Sequence, residues 1–511
     1  MNKAFFKFNQ QGKSEPKVVT RSSAIFYFRN TEDFKTELHF MNYWSEKRGI
    51  RDNRCRLTLR NLDGSKIHGE EFTLSRTGAY VIRVNDLLSK TSNHASLTHN
   101  YEGSVELEIL SNTNLVINNP AALVRYLGKT WHTNVHSTQR YFSETSGDDE
   151  KIIANPYIAD EGNFTIPAEP ELEPFFIIHN GPNELVDNQM NVTVIAEDGR
   201  KICIKINSQK YSAYETKLFS LKDHVDYRSF LKGSFGSMTI QYTSCGVFPR
   251  LVAGHENIRD FYWSIDHTNF AALDGSVMKD VFVPNTETGF NNLVFDLPNN
   301  SEEGWTCFAD LYPTYPFENY HVEVIDRDRS GKTLNNNSYA LKSEMERPIT
   351  RIRTSHVPSA EFIFHSDTVL PRRFHMGIHY RVNDGNYGYL IDGPMPNEYP
   401  GTRTRWSPVF EAEECDNYLL IANPKLGHKI VSVSFCVKLF NAFGDQPLVT
   451  DFTLNEYESQ CIRLSDAFAG MKEYLKGSSG WIYLTANDKQ HSVVHYVSIK
   501  NKNSVACCHA F

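Results

Sequence analysis

The sequence predicts an all-β protein made of four tandem antiparallel β-sandwich repeats, each with a short helical crossover. Three observations favour this fold. Many short segments alternate apolar and polar residues, which is the period of a half-buried strand. Turns rich in Gly, Asn and Asp follow these segments about every ten residues, as in all-β sandwiches. One motif of strand, helical turn and strand occurs more than once along the chain.

The recurring motif joins a strand to a short helix that contains an Asp, then to a Gly-rich turn and a second strand. It occurs at residues 80–110, 214–241 and 457–485. An Asp side chain can accept the free backbone N–H groups of a first helical turn, so three residues are expected to cap these helices: Asp86, Asp223 and Asp466. Gly233 and Gly477 are expected to end the helices, since Gly adopts the left-handed conformation without strain.

A second recurring feature is a hairpin turn in which Asp precedes Gly. It occurs at residues 63–64, 198–199 and 328–331. Together with polar and Pro-rich stretches, it predicts four repeats at residues 1–145, 146–275, 276–385 and 386–511, of which the third is the most degenerate. Residues 383–405 carry several Gly and Pro residues and are expected to form a long irregular connection.

Two other all-β arrangements are alternatives to this prediction. The predicted repeats are too long to be the blades of a β-propeller, which contain about 40–50 residues each. Fusion of the repeats two by two into jelly rolls stays open.

Composition and charge restrict the class of protein. The 511 residues are 40% hydrophobic and 13% aromatic, which is enough to fill globular cores. The net charge of −8 includes no block of like charge, so neither nucleic acid nor a membrane surface is predicted as a partner. No apolar run is long enough to span a membrane, and the first residues lack the pattern of a secretory signal, so a cytoplasmic location is expected.

Candidate site residues lie near the end of each predicted repeat. Histidines recur there at comparable positions: His136, His267, His379 and His495. Three of these follow another histidine by four residues: His132, His375 and His491. With Arg, Trp and Asp residues of the first two repeats, the predicted ligand-binding set is Arg125, Trp131, His132, His136, Arg250, Arg259, Trp263, Asp266 and His267. Guanidinium groups suit carboxylates and aromatic faces suit sugar rings, so this set points to an acidic glycan. The alternative is that the histidines and aromatic residues only pack within the sheets.

No metal ion, cofactor or catalytic residue is predicted. Two histidines four residues apart on a strand lie about 13 Å apart on one face, which is too far to share an ion with bonds of about 2 Å. A metal site would need ligands from a neighbouring strand or repeat. The nine cysteines include no Cys-x-x-Cys pair, and the chain has no Gly-x-Ser-x-Gly, phosphate-binding loop or His-Glu-x-x-His motif.

Two classes of function follow. The first is a non-catalytic binding or structural protein in which tandem repeats multiply weak sites for a glycan or protein partner. The alternative is an enzyme that acts on a sugar or sugar acid at an interface between repeats. This alternative requires six residues to converge: Arg125, His132, His136, Arg259, Asp266 and His267.

Overall fold

The computed structural model describes most of the chain between residues 18 and 510. The described ranges are 18–91, 100–111, 120–136, 139–145, 157–244, 251–268, 270–272, 292–312, 320–341, 349–354, 356–366, 376–393, 395–396, 402–423, 425–426, 429–430, 432–490 and 492–510. Within these ranges the protein is all-β, and neighbouring strands in the sheets run antiparallel, as the sequence predicts. The sheets form pairs, each built around a hydrophobic cluster, which we number first to fourth along the chain.

The strands of the first sheet pair are β1 (Val18–Asn30), β2 (Lys35–Met41), β3 (Arg54–Asn61), β4 (Lys66–Thr73), β5 (Ala79–Arg83), β6 (Tyr101–Ser111), β7 (Ala122–Leu127), β8 (His132–Val135) and β9 (Gln139–Thr145). They form a five-stranded sheet in the order β4-β3-β6-β1-β9 and a four-stranded sheet in the order β5-β2-β7-β8. Cys55, Leu57 and Leu59 of β3 alternate with more exposed residues and pack in one cluster with Leu38 and Val124 of the second sheet. Alternation along the sequence therefore places one face of β3 on the core.

The strands of the second sheet pair are β10 (Tyr157–Ile166), β11 (Leu172–His179), β12 (Leu185–Ala196), β13 (Lys201–Tyr211), β14 (Thr216–Ser220), β15 (Gly236–Ser244), β16 (Val252–Asn257), β17 (Trp263–His267) and β18 (Phe270–Ala272). The sheet orders are β13-β12-β15-β10-β18 and β14-β11-β16-β17. When the strands are numbered from the first strand of each pair, both sheets have the same strand order as the sheets of the first pair.

The strands of the third sheet pair are β19 (Asn292–Pro298), β20 (Trp305–Leu311), β21 (Tyr320–Arg327), β22 (Thr333–Leu341), β23 (Thr350–Arg353), β24 (Ser359–Ser366), β25 (Met376–Val382), β26 (Gly388–Asp392) and β27 (Met395–Pro396). The sheet orders are β22-β21-β24-β19-β27 and β23-β20-β25-β26, which again repeat the earlier pattern.

The strands of the fourth sheet pair are β28 (Thr402–Val409), β29 (Cys415–Ala422), β32 (Val433–Phe440), β33 (Leu448–Leu454), β34 (Ser459–Arg463), β35 (Gly480–Gln490), β36 (Val493–Lys500) and β37 (Ser504–His509). They form four-stranded sheets in the orders β28-β35-β32-β33 and β34-β29-β36-β37. A small separate sheet pairs β30 (Lys425–Leu426) with β31 (Lys429–Ile430).

The prediction of a long irregular connection at residues 383–405 is wrong. This stretch contains β26 and β27 and the start of β28, and β26 pairs with β25, so the third sheet pair extends past residue 385. Two glycines in it mark close packing. A Cβ atom on Gly385 would lie 1.7 Å from the Asn503 carbonyl oxygen, and one on Gly388 would lie 2.5 Å from Val505 Cγ1. Glycines that admit a neighbouring strand look the same in a sequence as glycines of a loop.

Helix α1 (Tyr43–Arg48) lies between β2 and β3, outside the predicted crossovers. Short helices stand at the three predicted crossovers: α2 (Val84–Leu88), α3 (Tyr227–Leu231), α4 (Leu464–Ala467) and α5 (Met471–Leu475), with a 3₁₀ turn at Leu221–Asp223. The crossovers of the first, second and fourth pairs contain such turns, whereas the described residues between β23 and β24 contain none. Within the described part of the chain, no helix has the length and apolar character needed to cross a membrane.

The predicted capping role of the three aspartates is wrong. Asp86, Asp223 and Asp466 lie inside the helical turns, and the residues before these turns make no side-chain cap. Each turn begins instead with a buried residue: Val84, Leu221 and Leu464. The strand therefore continues directly into the turn and anchors it by apolar burial. Gly233 and Gly477 do adopt the expected positive φ, of 78° and 73°.

In each pair, one four-stranded sheet contacts both its own hydrophobic cluster and the cluster of a neighbouring pair. In the second pair, Phe176 and Ile178 of β11 point into their own cluster, whereas Phe175 and Ile177 pack in the cluster of the first pair. All residues of β11 are buried, which explains why it reads as a nearly continuous apolar run rather than an alternating one.

The same packing relation continues around the molecule and closes it. Ile391 of the third pair reaches the second cluster, and Val497 of the fourth pair reaches the third. Met41 and Leu123 of the first pair then pack in the cluster of the fourth. The first and last sheet pairs are thus in contact, and the four pairs form a closed ring.

Backbone hydrogen bonds follow the same ring. The N–H group of Thr216 donates to the Leu62 carbonyl at 2.8 Å, and that of Ser459 donates to the Arg329 carbonyl at 3.3 Å. The Ala79 N–H donates to the Asn441 carbonyl of the fourth pair at 3.1 Å. In each case the first strand residue after a turn bonds to the hairpin of the preceding pair, and the last of these contacts joins the two ends of the ring.

Four strands lie at the centre of the ring, and we call them the inner strands: β8, β17, β26 and β37. The His132 N–H donates to Ser504 Oγ at 2.9 Å, which places β8 beside β37. Ser264 Oγ donates to the Tyr387 carbonyl at 2.7 Å at the start of β26, beside β17. Contacts between β8 and β17 and between β26 and β37 complete the circle. The start of β8 contacts the start of β37, and the start of β17 contacts the start of β26. All four inner strands therefore run in the same direction, so their starts share one end of the ring and their ends share the other.

Candidate functional site

A pocket lies at the end of the ring where the inner strands begin. Its volume is about 360 Å³, and its walls come from all four sheet pairs. The lining residues are Thr130, Trp131, Glu169, Glu171, Leu172, Asn257, Arg259, Asp260, Tyr262, Arg381, Asp384, Gly385, Asn386, Tyr387, Asn503 and Ser504. Two of them, Trp131 and Arg259, belong to the predicted ligand-binding set. The pocket therefore exists only because the four pairs are brought together.

A short turn positions the charged residues of the second sheet pair. The Asn257 side-chain oxygen accepts the N–H groups of Arg259 and Asp260 at 2.9 and 2.7 Å. The Phe261 N–H donates to the Asn257 carbonyl at 2.8 Å, and Phe261 has a φ of 55° and is 71% exposed. An Asn that bonds to the backbone two and three residues ahead fixes a turn without a large side chain. The Arg259 guanidinium is exposed and lies 3.2 Å from Asp260.

Arg381 organises the opposite wall of the pocket. Its Nε donates to the Gly385 carbonyl at 2.8 Å, and its guanidinium donates to the Tyr387 hydroxyl at 3.3 Å. The guanidinium also lies 4.9 Å from the centroid of the Tyr387 ring. These contacts fix both the 383–387 turn and the Tyr387 side chain. Asp384, at the tip of this turn, has a fully exposed side chain.

The pocket combines aromatic faces with an excess of negative charge. Trp131 is nearly buried and packs edge-on against Phe34 at 5.1 Å, so little of its indole faces solvent. Tyr262 and Tyr387 are half-buried, and burial raises the pKa of the Tyr262 hydroxyl. Four carboxylates line the pocket against two guanidinium groups: Glu169, Glu171, Asp260 and Asp384. The charges therefore favour neutral or cationic ligands over anions.

Three histidines meet at the opposite end of the ring, where the inner strands finish. His136 follows β8, whereas His267 and His509 are the last residues of β17 and β37. The His136 ring centroid lies 4.4 Å from that of His267 and 4.5 Å from that of His509, with the planes nearly perpendicular. Each residue offers one ring nitrogen, and these nitrogens all lie within 4.8 Å of one another. This is the one described group whose spacing could hold a metal ion.

The remaining inner strand, β26 of the third sheet pair, ends with an acidic residue, Asp392. Its Oδ2 lies 3.1 Å from His495 Nε2. Burial raises the pKa of Asp392, but the bond to His495 and the nearby His509 more than offset this, so its pKa lies below its usual value. The carboxylate therefore stays ionised near His509.

Arg125 and His132, predicted as ligand contacts, lie instead in a buried network. One Arg125 nitrogen donates to both Glu411 oxygens at 2.9 and 2.7 Å, and the other donates to His132 Nδ1 at 3.1 Å. His132 Nε2 donates to the Ser498 carbonyl at 3.1 Å. Burial and the Arg125 charge lower the pKa of His132 well below its usual range, so its ring is neutral. These residues connect the first and fourth sheet pairs and do not line the pocket.

The remaining predicted residues divide between the core and the strand contacts. Trp263 is buried between Tyr27, stacked at 5.7 Å, and Phe34, edge-on at 4.9 Å. Asp266 accepts the N–H groups of Ile391 and His267, so it joins β17 to β26. Three positions lie outside the described residues: Arg250, His375 and His491.

The four histidines that are aligned in the sequence, His136, His267, His379 and His495, do not occupy equivalent positions in the fold. His136 and His267 stand at the ends of inner strands, whereas His379 and His495 lie on β25 and β36, the strands that precede the inner strands. His379 is buried, with Nε2 3.1 Å from Asp310. His509 was missed, although it ends the last strand as His267 ends β17. Alignment by the inner strand of each sheet pair would have found it.

No family model matches the chain, and no curated protein matches it significantly. Among solved structures, a glycosyl hydrolase family 2 member from Bacteroides cellulosilyticus DSM 14838 aligns over 95% of this chain and 92% of its own, at 6% identity. The TM-score is 0.11, so this likeness carries no argument about fold or function.

Proposed function

We propose that the protein is a non-catalytic binding protein built from four copies of one β-sandwich module, and that it binds a neutral glycan in the pocket. The recurring strand order in the four sheet pairs supports the count of four modules. The strand pairing supports boundaries close to residues 145 and 275, with the third module extended to the end of β27 at residue 396.

One observation carries the proposed site, namely that the starts of all four inner strands line a single polar pocket. Small-molecule sites commonly form where domains meet, because several elements can then present groups to one ligand. The turns around Arg259 and Arg381 are held by side-chain-to-backbone bonds, so their polar groups are positioned before a ligand arrives. Such preorganisation lowers the entropic cost of binding.

The charge of the pocket favours a neutral ligand over the acidic glycan predicted from the arginines alone. Arg259 lies 3.2 Å from Asp260 and 3.9 Å from Glu171, and Arg381 lies 4.0 Å from Asp384, so both guanidinium groups are near carboxylates. Carboxylates and guanidinium groups together offer acceptors and donors for sugar hydroxyls. Tyr262, Tyr387 and the exposed Phe261 nearby supply apolar faces for the ring.

The enzyme alternative receives less support because its six residues lie in three places. Arg125 and His132 are in the buried network, Arg259 is at the pocket, and His136, Asp266 and His267 are at the opposite end of the inner strands. From Trp263 to His267 an inner strand spans about 13 Å, which separates the pocket from the histidines.

The test is a glycan array that contains neutral, acidic and amino sugars, followed by calorimetric titration of the strongest neutral hit. Arg259→Gln and Asp384→Asn alter exposed side chains at the pocket and leave the core intact. Each should weaken binding by about tenfold to 100-fold, since a hydrogen bond to a charged group contributes about 1.5–3 kcal/mol. Arg463→Gln is the matched control, because Arg463 is an exposed, paired arginine away from the pocket.

An unchanged affinity in both pocket variants, with wild-type folding, would remove the pocket from the binding site. An array that shows only acidic hits would contradict the neutral ligand, and an array with no hit would contradict glycan binding.

A further inference from the structure

Two of the three histidines at the ends of the inner strands, His267 and His509, are held by hydrogen bonds in a defined tautomer. His267 Nδ1 donates to the Thr268 carbonyl at 3.0 Å, and His509 Nδ1 donates to the Ile391 carbonyl at 3.0 Å. A carbonyl oxygen can only accept, so Nδ1 carries the proton in both rings. Nε2 is then the nitrogen with the lone pair, and it is the atom that can bind a metal ion.

This arrangement is the one that metal-binding histidines use. A ligating imidazole almost always donates its other ring nitrogen to a carbonyl or carboxylate, which fixes the orientation of the ring. His267 and His509 both meet this condition through backbone carbonyls, whose positions are set by β17 and β26. His136 completes the group, with its ring packed against both others.

The spacing also suits an ion. One ring nitrogen from each of the three residues lies within 4.8 Å of the others. In a tetrahedral site with Zn–N bonds of about 2.1 Å, ligand atoms are about 3.4 Å apart. A shift of less than about 1 Å in each ring would close this difference, which side-chain rotation can supply.

We propose that His136, His267 and His509 form a site for one divalent transition-metal ion, with Zn²⁺ as the occupant, at the end of the ring opposite the pocket. Three imidazole ligands with a fourth position for water are a known zinc arrangement, and imidazole is a preferred ligand for this ion. The carboxylate of Asp392 lies close enough to His509 to offset part of the positive charge. The site is independent of the glycan pocket and does not rest on it.

The ligands come from three different sheet pairs, so the ion would act as a clamp on the closed ring. His136 belongs to the first pair, His267 to the second and His509 to the fourth, and Asp392 of the third lies near His509. An ion that binds the folded protein but not the unfolded chain raises stability in proportion to the logarithm of its free concentration. Zn²⁺ should therefore raise the Tm of the full chain.

The experiment uses the full-length protein, first stripped with a chelator and then titrated with Zn²⁺ by calorimetry, with bound metal counted by mass spectrometry. Co²⁺ serves as a spectroscopic probe, because a tetrahedral site gives it strong visible absorption. The variants are His136→Gln, His267→Gln and His509→Gln. The matched control is His179→Gln, which alters a buried histidine whose Nδ1 lies 2.8 Å from Thr216 Oγ1, outside the cluster.

The expected result is one Zn²⁺ for each wild-type chain, a tetrahedral Co²⁺ spectrum and a higher Tm with zinc. Each cluster variant should lose at least about 100-fold in affinity, since loss of an outer partner alone costs 10–100-fold. The control should bind as the wild type does. His509 is half-buried at the end of the chain, so His509→Gln decides the question if the two buried variants do not fold.

Two results would overturn the proposal. One is a folded wild-type protein that binds no Zn²⁺. The other is zinc binding of equal affinity in wild type and His509→Gln, which would place the ion elsewhere.

Discussion

Substitution of Arg125 tests whether this residue holds the ring together, as its contacts indicate. Arg125 lies on β7 of the first sheet pair and is fully buried, and Glu411 follows β28 of the fourth pair. The guanidinium bonds to both Glu411 oxygens, lies 3.7 Å from Glu37 and stands 4.0 Å from the centroid of the Phe410 ring. Arg125→Met keeps most of the side-chain volume and removes the charge.

The expected loss of stability in Arg125→Met follows from the two carboxylates that remain, Glu411 and Glu37. Burial raises the pKa of Glu411, but Arg125 more than offsets it, so the pKa of Glu411 lies well below its usual range in the folded protein. Without Arg125, Glu411 and Glu37 would be two neighbouring carboxylates without that buried counter-charge. Removal of one partner of a buried ion pair costs about 3–5 kcal/mol. We expect this loss in the free energy of unfolding of Arg125→Met, and recovery of part of it in Arg125→Met with Glu411→Gln.

Urea unfolding followed by circular dichroism at pH 7 measures these values. Arg83→Ala is the matched control, because Arg83 is exposed and also pairs with Glu37, at 3.3 Å. An exposed pair contributes about 0–1 kcal/mol, so this control should change little. A loss below about 1 kcal/mol in Arg125→Met would refute the structural role. It would return Arg125 to the candidate ligand contacts.

Two further predictions concern pH and one turn. Burial lowers the pKa of His179 and His255 to about 3 and that of His132 well below its usual range. The folded state therefore binds fewer protons than the unfolded chain below about pH 6.5. The stability that these histidines contribute above that pH is lost as the pH falls towards 3. Each histidine loses about 1.4 kcal/mol per pH unit. Urea unfolding at pH 7 and pH 5 should differ by about 6 kcal/mol for the three together, and a pH-independent result would contradict their neutral burial. Gly64 and Gly233 both have positive φ, but only at Gly64 would a Cβ atom meet a neighbour, the Ala213 carbonyl oxygen at 2.0 Å. Gly64→Ala should therefore lower the free energy of unfolding by about 1–3 kcal/mol more than Gly233→Ala, and equal losses would show that the contact between sheet pairs yields at little cost.

Local features of the fold could be predicted from the sequence, because they depend on residues close together in the chain. Alternation along β3 and the Asp-Gly turns predicted strands and hairpins, and Gly64, Gly199 and Gly331 in these turns all have positive φ. The closure of the ring could not be predicted. It rests on contacts such as Ala79 with Asn441, for which no local pattern exists.

The candidate sites were only partly predictable for the same reason. Trp131, Arg259, His136 and His267 were identified, yet the sequence could not show that the first two and the last two lie at opposite ends of the inner strands. The prediction for Arg125 depends on a guanidinium that suits anions, and the anion that Arg125 contacts is Glu411, 286 residues away. A residue type indicates the chemistry of a partner, but not whether that partner is a ligand or the protein itself.

The position at the end of each inner strand shows how a closed ring can build a site that no local motif reveals. The four modules that we propose place His136, His267, Asp392 and His509 there. Four copies of one position meet at one place in a ring, so the side chains they carry act as a single group. Four neutral imidazoles would leave a bound cation without a counter-charge, whereas three imidazoles and one carboxylate supply both ligands and charge. The third copy has Asp392 at this position instead of a histidine, and this difference is therefore consistent with a shared metal site. The chemistry of that site is divided among residues roughly one module apart, which is why a search for ligands close together along one strand predicted none.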